Sequence, residues 1–178
     1  EDVLISRTGY TGELGFELYV RNEDVESLWK SIFNTEIEIK PIGLAARDTL
    51  RLEKGYCLYG NDINERTSPI EAGLGWVTKF NKNFINCDNL KDQKNGNTVN
   101  KLVGIELIDR GVARKDYDII DEQNNIIGIV TSGTMSPTLS KAIALGYIKK
   151  EFSKIETIIY IKVRNKNIKA KITKLPFV

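Results

Sequence analysis

The sequence predicts an α+β protein: a first region of antiparallel strands with helices, followed by a small antiparallel barrel or sandwich. In the first region, short strand-like runs alternate with segments whose apolar residues recur at helical spacing. From Lys101 onward, short apolar runs recur between turn signals, as in small all-β domains. The polar segment at residues 80–100 separates the two patterns, so we predict two domains, residues 1–80 and residues 81–178.

The first region should contain short strands and two amphipathic helices. Asn22 is a plausible N-cap for the first helix, and apolar residues recur at helical spacing as far as Asn34. Glycines between the first two strands predict a bent connection. The predicted elements are strands at residues 3–6, 16–20 and 37–39, and helices at residues 22–34 and 43–54.

The second region should consist of antiparallel strands joined by tight turns. Two polar runs rich in Asn, residues 121–125 and 164–167, are typical of hairpin turns. Apolar runs of strand length lie on both sides of each turn. The predicted strands are residues 102–108, 117–120, 126–132, 142–147, 158–163 and 168–172.

Composition excludes several classes of function. The 26 basic and 24 acidic residues leave a formal charge of +2, which gives no broad field for nucleic acid or an anionic membrane. No apolar run reaches the roughly 18 residues of a membrane-spanning helix. We therefore expect neither a nucleic-acid partner nor a membrane partner.

Cysteine and histidine content narrows the possible chemistry further. Cys57 and Cys87 lack CxxC spacing, so we expect free thiols in a reducing compartment. The chain has no histidine, which rules out an imidazole base or a Cys/His zinc site within it. The glycines at positions 9, 12 and 15 miss the spacing of a phosphate-binding loop, and no Lys-Ser/Thr pair follows them. Carboxylates, tyrosines, arginines and backbone amides remain for a functional site.

Four conspicuous stretches follow one another along nearly the whole chain. They are SRTGYTGELGFEL (residues 6–18), GLAARDTLRLEKGYCLYGNDI (43–63), TSPIEAGLGW (67–76) and TSGTMSPTLSKAIALGYI (131–148). Each alone is a weak signal, but four in this order and spacing are hard to explain by chance. Together they resemble the T-protein of the glycine cleavage system.

The resemblance implies an architecture and a reaction. Members of this family have a discontinuous folate-binding domain, an inserted second domain and a final β-barrel. This chain resembles the second segment of the folate-binding α+β domain followed by the barrel, and because it begins with Glu1 rather than Met we expect a fragment. The family reaction moves an aminomethyl group from the lipoyl arm of H-protein to tetrahydrofolate, the co-substrate, with release of ammonia and without a metal. The product is 5,10-methylenetetrahydrofolate.

The resemblance also implies four folate-binding residues: Tyr10, Glu17, Arg47 and Tyr56. The carboxylate of Glu17 suits the paired N–H groups of a reduced pterin, although without the motif it would read as an ordinary surface glutamate. Tyr10 would line the same site, and Tyr56 would lie near it. The Arg47 guanidinium would meet folate acceptors; the alternative is a surface arginine paired locally with Asp48.

Other polar groups are interpreted as structural. The Asn61-Asp62 pair is typical of a backbone-capping turn, although either residue could serve the site. The two polar runs at residues 131–133 and 136–138 should shape a cleft wall. A basic stretch at residues 162–174 alternates with apolar residues, which is usual for a solvated strand face. As a hypothesis, it attracts an acidic H-protein or a polyglutamate tail.

The resemblance leaves open what this chain does alone. The family's catalytic aspartate lies in the amino-terminal part, so no catalytic residue is assigned here and we expect little turnover from the fragment. Two alternatives stay open: the folate-binding half of a sarcosine or dimethylglycine dehydrogenase, and a non-catalytic folate-binding module. We expect a cytoplasmic location in a bacterium or the mitochondrial matrix in a eukaryote.

Overall fold

The computed structural model describes residues 2–178, which divide into two compact units. The first ends at Arg51, and the second runs from Leu52 to Val178. The predicted α+β class with a final antiparallel barrel is confirmed. The domain boundary predicted between residues 80 and 81 stays a prediction.

The first unit contains a two-stranded antiparallel sheet followed by helices. In the sheet, Ser6 lies opposite Glu17. None of the described residues before Arg51 is buried, so these elements depend on local hydrogen bonds rather than on a core within the unit. The elements are β1 (Leu4–Ser6), β2 (Glu17–Tyr19), α1 (Val25–Phe33) and α2 (Leu44–Glu53), the last of which ends in the second unit.

Two expectations for the first unit are wrong. Residues 37–39 pair with no strand in the described part of the chain, and unpaired backbone does not make a strand. Helix α1 begins after Asp24 rather than after Asn22. The carbonyl of Asp24 accepts the N–H of Leu28 at 3.0 Å, which starts the helical hydrogen-bond pattern two residues later than expected.

The second unit is dominated by a closed six-stranded barrel. Its strand order is β3-β6-β5-β4-β7-β8, with β8 returning to β3, and all six pairs are antiparallel. Closure settles the choice between barrel and sandwich that strand spacing alone left open, and it confirms the barrel that the family resemblance implies. The elements are α3 (Cys87–Asp92), β3 (Asn100–Leu107), β4 (Asp118–Ile120), β5 (Ile126–Ser136), β6 (Lys141–Lys149), β7 (Ile158–Val163) and β8 (Lys166–Thr173).

The barrel interior forms the main core. Strand β6 is buried on both faces: Ala144 belongs to the interior cluster, whereas Ile143 and Leu145 belong to a smaller cluster with Leu52. Cys57 and Phe177 pack against this smaller cluster. Residues at and after the end of α2 therefore cover part of the outer face of the barrel. None of the helices within residues 2–178 has the length and apolar character needed to cross a bilayer.

Candidate functional site

Glu17 presents an exposed carboxylate at the start of β2. Thr8, in the connection from β1, donates a hydrogen bond from Oγ1 to Glu17 Oε2, and the Tyr19 hydroxyl donates to the same oxygen at 3.3 Å. The negative charge of Glu17 raises the pKa of Tyr19, which keeps this phenol protonated and able to donate. Two hydroxyl groups thus orient the carboxylate on the surface of the strand.

Arg47 and Tyr10 are in direct contact within the first unit. The guanidinium carbon of Arg47 lies 4.5 Å from the centre of the Tyr10 ring, a cation–π arrangement that contributes roughly 0.5–1 kcal/mol at exposed sites. The local pairing of Arg47 with Asp48 is not what the structure shows. Asp48 Oδ1 accepts instead from Arg51 Nη2 at 2.6 Å. The Arg47 guanidinium therefore lies on an exposed surface with its orientation set by an aromatic ring.

Tyr56 belongs to the second unit and follows the end of α2. Its side chain is 40% exposed. Together with Trp76 and Cys57 it lines a cavity of about 460 Å³ whose other walls include Leu102 and Leu175. Two aromatic side chains in a largely apolar cavity suit a flat ring that carries few polar atoms.

A more polar cavity of about 370 Å³ lies where the loop after Tyr56 meets the barrel. Lys115 Nζ donates to the carbonyl oxygen of Gly60 at 2.8 Å, and the Tyr147 hydroxyl donates to the carbonyl oxygen of Asp62 at 2.9 Å. Burial raises the pKa of Tyr147, so its phenol stays protonated and keeps this donor role. Lys115 and Tyr147 therefore join the loop to the barrel within this cavity.

The four predicted folate-binding residues are divided between the two units. Tyr10, Glu17 and Arg47 lie in the first, where Tyr10 and Arg47 touch, and Tyr56 lies in the second. Their role in folate binding stays a prediction. Within residues 2–178, no group of three His, Cys, Asp or Glu side chains is placed to hold a metal ion.

Sequence reasoning missed two polar residues that the structure places in prominent positions. Thr8 orients Glu17, and its position inside the motif at residues 6–18 was a usable signal. Glu53 is only 2% exposed, and its carboxylate accepts a 2.5 Å hydrogen bond from Ser136 Oγ. No local signal pointed to Glu53, because its partner is 83 positions away along the chain.

Two domain families match this chain, one in each half of the sequence. The GCVT N-terminal domain matches residues 1–82, and the glycine cleavage T-protein C-terminal barrel domain matches residues 100–178. These two matches cover most of the chain.

Individual relatives agree with the domain matches. An aminomethyltransferase of Flavobacterium psychrophilum is 56% identical over 99% of this chain and 50% of the relative, and one of Bacteroides thetaiotaomicron is 54% identical over the same shares. The crystal structure of glycine cleavage system aminomethyltransferase T from Bartonella henselae matches with a TM-score of 0.93 and 34% identity, covering 100% of this chain and 50% of that one. The chain thus spans about half the length of the curated relatives it matches. By its two domains and by these relatives, the chain belongs to the glycine cleavage T-protein family.

Proposed function

We propose that this chain supplies folate-binding residues to an aminomethyltransferase of the glycine cleavage system. The proposed reaction transfers an aminomethyl group from the lipoyl arm of H-protein to tetrahydrofolate, releases ammonia and yields 5,10-methylenetetrahydrofolate. The observation that carries the proposal is the 56% identity to an aminomethyltransferase across 99% of the chain. Tetrahydrofolate is the co-substrate, H-protein is the partner, and no metal takes part in the proposed reaction.

Glu17 is proposed to recognise the pterin ring. A carboxylate can accept the amino N–H and the ring N–H of a reduced pterin side by side, as a charge-assisted pair. The exposed position of Glu17 and its hydrogen bonds from Thr8 and Tyr19 support this role. Because these bonds already restrict the side chain, less conformational entropy is lost when a ligand binds.

Arg47, Tyr10 and Tyr56 are proposed to contact other parts of folate. The guanidinium of Arg47 offers several N–H donors in a planar fork, which suits folate carboxylate or carbonyl oxygens. Its contact with Tyr10 at 4.5 Å supports the role, because the ring limits the directions in which the fork can point. Tyr56 lines an apolar cavity with Trp76 and is proposed to pack against an aromatic ring of the ligand.

Turnover is proposed to require more than this chain. The curated relatives are about twice as long, and none of the described residues is assigned to proton transfer at the reacting folate nitrogen. The folate-binding residues would then orient the acceptor, and most of their contribution would come from positioning.

Calorimetric titration with tetrahydrofolate tests the proposal. The chain is measured alone and with the amino-terminal half of the Flavobacterium relative, each time beside Glu17→Gln and Arg47→Ala. Each variant should weaken binding by about tenfold or more, because each removes a charge-assisted contact. Glu26→Gln is the matched control, since Glu26 is an exposed glutamate of the same unit with a lysine partner, and it should bind like the parent.

Two outcomes would contradict the proposal. If tetrahydrofolate does not bind even when the amino-terminal half is present, these residues do not form a folate site. Binding without any consumption of aminomethylated H-protein by the combined halves would instead indicate a non-catalytic folate-binding module.

A further inference from the structure

Two buried carboxylates mark the ends of the loop that carries Tyr56. Glu53 lies just before this loop and is 2% exposed, and Asp62 lies just after it and is 0% exposed. Burying a carboxylate is costly unless hydrogen-bond donors surround it. The hydrogen-bond donors around each carboxylate therefore show which segments of the chain it holds together.

Asp62 ties the end of the loop to strand β5. Its Oδ1 accepts from Thr131 Oγ1 at 2.5 Å, and its Oδ2 accepts from Ser132 Oγ at 3.0 Å. The same Oδ2 accepts the backbone N–H of Leu58, inside the loop, at 2.8 Å. One carboxylate thus joins the loop's own backbone to two hydroxyl groups of the barrel.

An irregularity in β5 makes this double contact possible. Successive side chains of a regular strand point to opposite faces, so Thr131 and Ser132 could not both reach one carboxylate. The pairing of β5 with β6 shifts register between Val130 and Ser132, which is a β-bulge. A bulge redirects a side chain by inserting an extra residue, and here it brings two consecutive hydroxyl groups onto Asp62.

Glu53 ties the start of the loop to two other segments. Its Oε1 accepts from Ser136 Oγ at 2.5 Å and its Oε2 from Thr138 Oγ1 at 2.9 Å, at the turn between β5 and β6. Its carbonyl oxygen accepts the backbone N–H of Phe177 at 2.9 Å, near the last residue of the chain. Both ends of the loop are therefore hydrogen-bonded to strand β5 and the turn after it.

We propose that Glu53 and Asp62 are positioning residues that hold the loop at residues 54–61, and with it Tyr56, in place for folate. This inference rests on the proposed function, since it takes Tyr56 as a ligand contact. The two carboxylates touch barrel hydroxyls and act through the loop rather than on the ligand. Lys115, which donates to Gly60 at 2.8 Å, adds a further attachment from the barrel.

A double-mutant cycle tests the inference. Glu53→Gln and Asp62→Asn keep the side-chain shape but replace an acceptor oxygen with an NH₂ group, so at least one hydrogen bond to each is lost. Each should weaken tetrahydrofolate binding, measured by calorimetry, by about tenfold. In a Tyr56→Ala background the same substitutions should cost less than about twofold, because the residue that they position is gone.

Hydrogen exchange followed by mass spectrometry supplies a second readout that does not depend on ligand. Exchange should rise in residues 54–61 of both variants while β7 and β8 remain protected. Ser132→Ala provides a milder variant that keeps the hydrogen bonds from Leu58 and Thr131 to Asp62 if Asp62→Asn does not fold. Glu156→Gln is the matched control, because the Glu156 carboxylate pairs with Lys171 of β8 at 3.0 Å rather than with the loop or the hydroxyl groups that anchor it, and it should change neither readout.

Additive losses of affinity in the cycle, or faster exchange throughout the barrel, would overturn the inference in favour of a general structural role. A parent chain that binds no tetrahydrofolate even with the amino-terminal half, but whose variants show faster exchange confined to residues 54–61, would refute the proposed function and leave the anchoring of the loop intact.

Discussion

The barrel and the first unit use the same kinds of apolar residue with different results. In β3 of the barrel, Ile105 is 0% exposed, whereas in β1 of the first unit Leu4 is 64% and Ile5 is 63% exposed. The barrel closes on itself, so its strands have no free edge and their alternating side chains share one interior. Strands β1 and β2 form a sheet of two, which cannot enclose a core. In this chain the closed sheet therefore encloses a core, and the two-stranded sheet does not.

Of the substitutions that test this comparison, truncation of a barrel isoleucine should change the free energy of unfolding most. Ile105→Ala should lower the free energy of unfolding by about 2–5 kcal/mol, because it removes buried methyl groups and leaves a cavity. Ile5→Ala, at an exposed strand position, should change it by less than about 0.5 kcal/mol. Urea denaturation measures both. Equal losses at the two positions would break the comparison.

Addition of a methyl group to a barrel glycine should have a smaller but clear effect. A Cβ at position 128 would lie 2.2 Å from the carbonyl oxygen of Tyr147, in the backbone of the paired strand. Gly128→Ala should therefore cost about 1–3 kcal/mol in free energy of unfolding. Gly9→Ala is the control in the first unit, where a Cβ would meet nothing within 4 Å. Thermal and urea unfolding would contradict this reasoning if Gly9→Ala were the more harmful change.

The hairpin turn between β4 and β5 should make barrel stability depend on pH. The side-chain amide of Asn125 hydrogen-bonds Asp121, helped by the backbone N–H groups of Asn125 and Gln123, and these bonds hold the pKa of Asp121 below its usual 3.8. A lowered folded-state pKa stabilises the fold above about 3.8, and this contribution is lost as the pH falls through the lowered value. Asp121→Ala should therefore be less stable than the parent at neutral pH.

Urea midpoints measured across the acid range check this prediction. The gap between the parent and Asp121→Ala should close as the pH falls below about 3.8. Glu122→Ala, which removes an exposed carboxylate of the same turn, is the matched substitution to measure beside it. If the difference between the urea midpoints of the parent and Asp121→Ala did not change with pH, the charge of Asp121 would not contribute to stability.

The smallest expected effect concerns the surface of the first unit. Glu26 and Lys30 form an exposed pair at 2.6 Å, four residues apart on helix α1. Glu26→Gln should reduce helix stability by only about 0.3–0.5 kcal/mol, and salt should erase the difference. Circular dichroism at low and high salt measures it. A larger loss that resists salt would show that α1 is held more firmly than an exposed helix should be.

The barrel strands were readable from the sequence because their signals are local. Alternation of apolar residues and a run of turn residues at positions 121–125 suffice to predict β4 and β5, and the structure confirms both strands. Helix α3 was missed in the polar segment, since it buries only Cys87 and Leu90 and is too short to show a helical period. The strand predicted at residues 37–39 was wrong for the opposite reason. Their local sequence is typical of a strand, but they have no pairing partner in the described part of the chain.

For the candidate site, the sequence by itself determined which residues to consider. Tyr10, Glu17, Arg47 and Tyr56 all lie in motifs that can be read along the chain. Only the tertiary structure decided that Arg47 faces the ring of Tyr10 instead of pairing with Asp48.

The sequence predicted the backbone-capping role of Asp62, which accepts the N–H of Leu58, but the attachment of the Tyr56 loop to the barrel was decided by tertiary structure. Asp62 and Glu53 accept hydrogen bonds from hydroxyl groups 69 to 85 positions away along the chain. The double contact of Asp62 with Thr131 and Ser132 depends on a β-bulge that the local sequence does not predict. Propensity and periodicity act between near neighbours in sequence, whereas a buried carboxylate finds its donors only after distant segments have packed together.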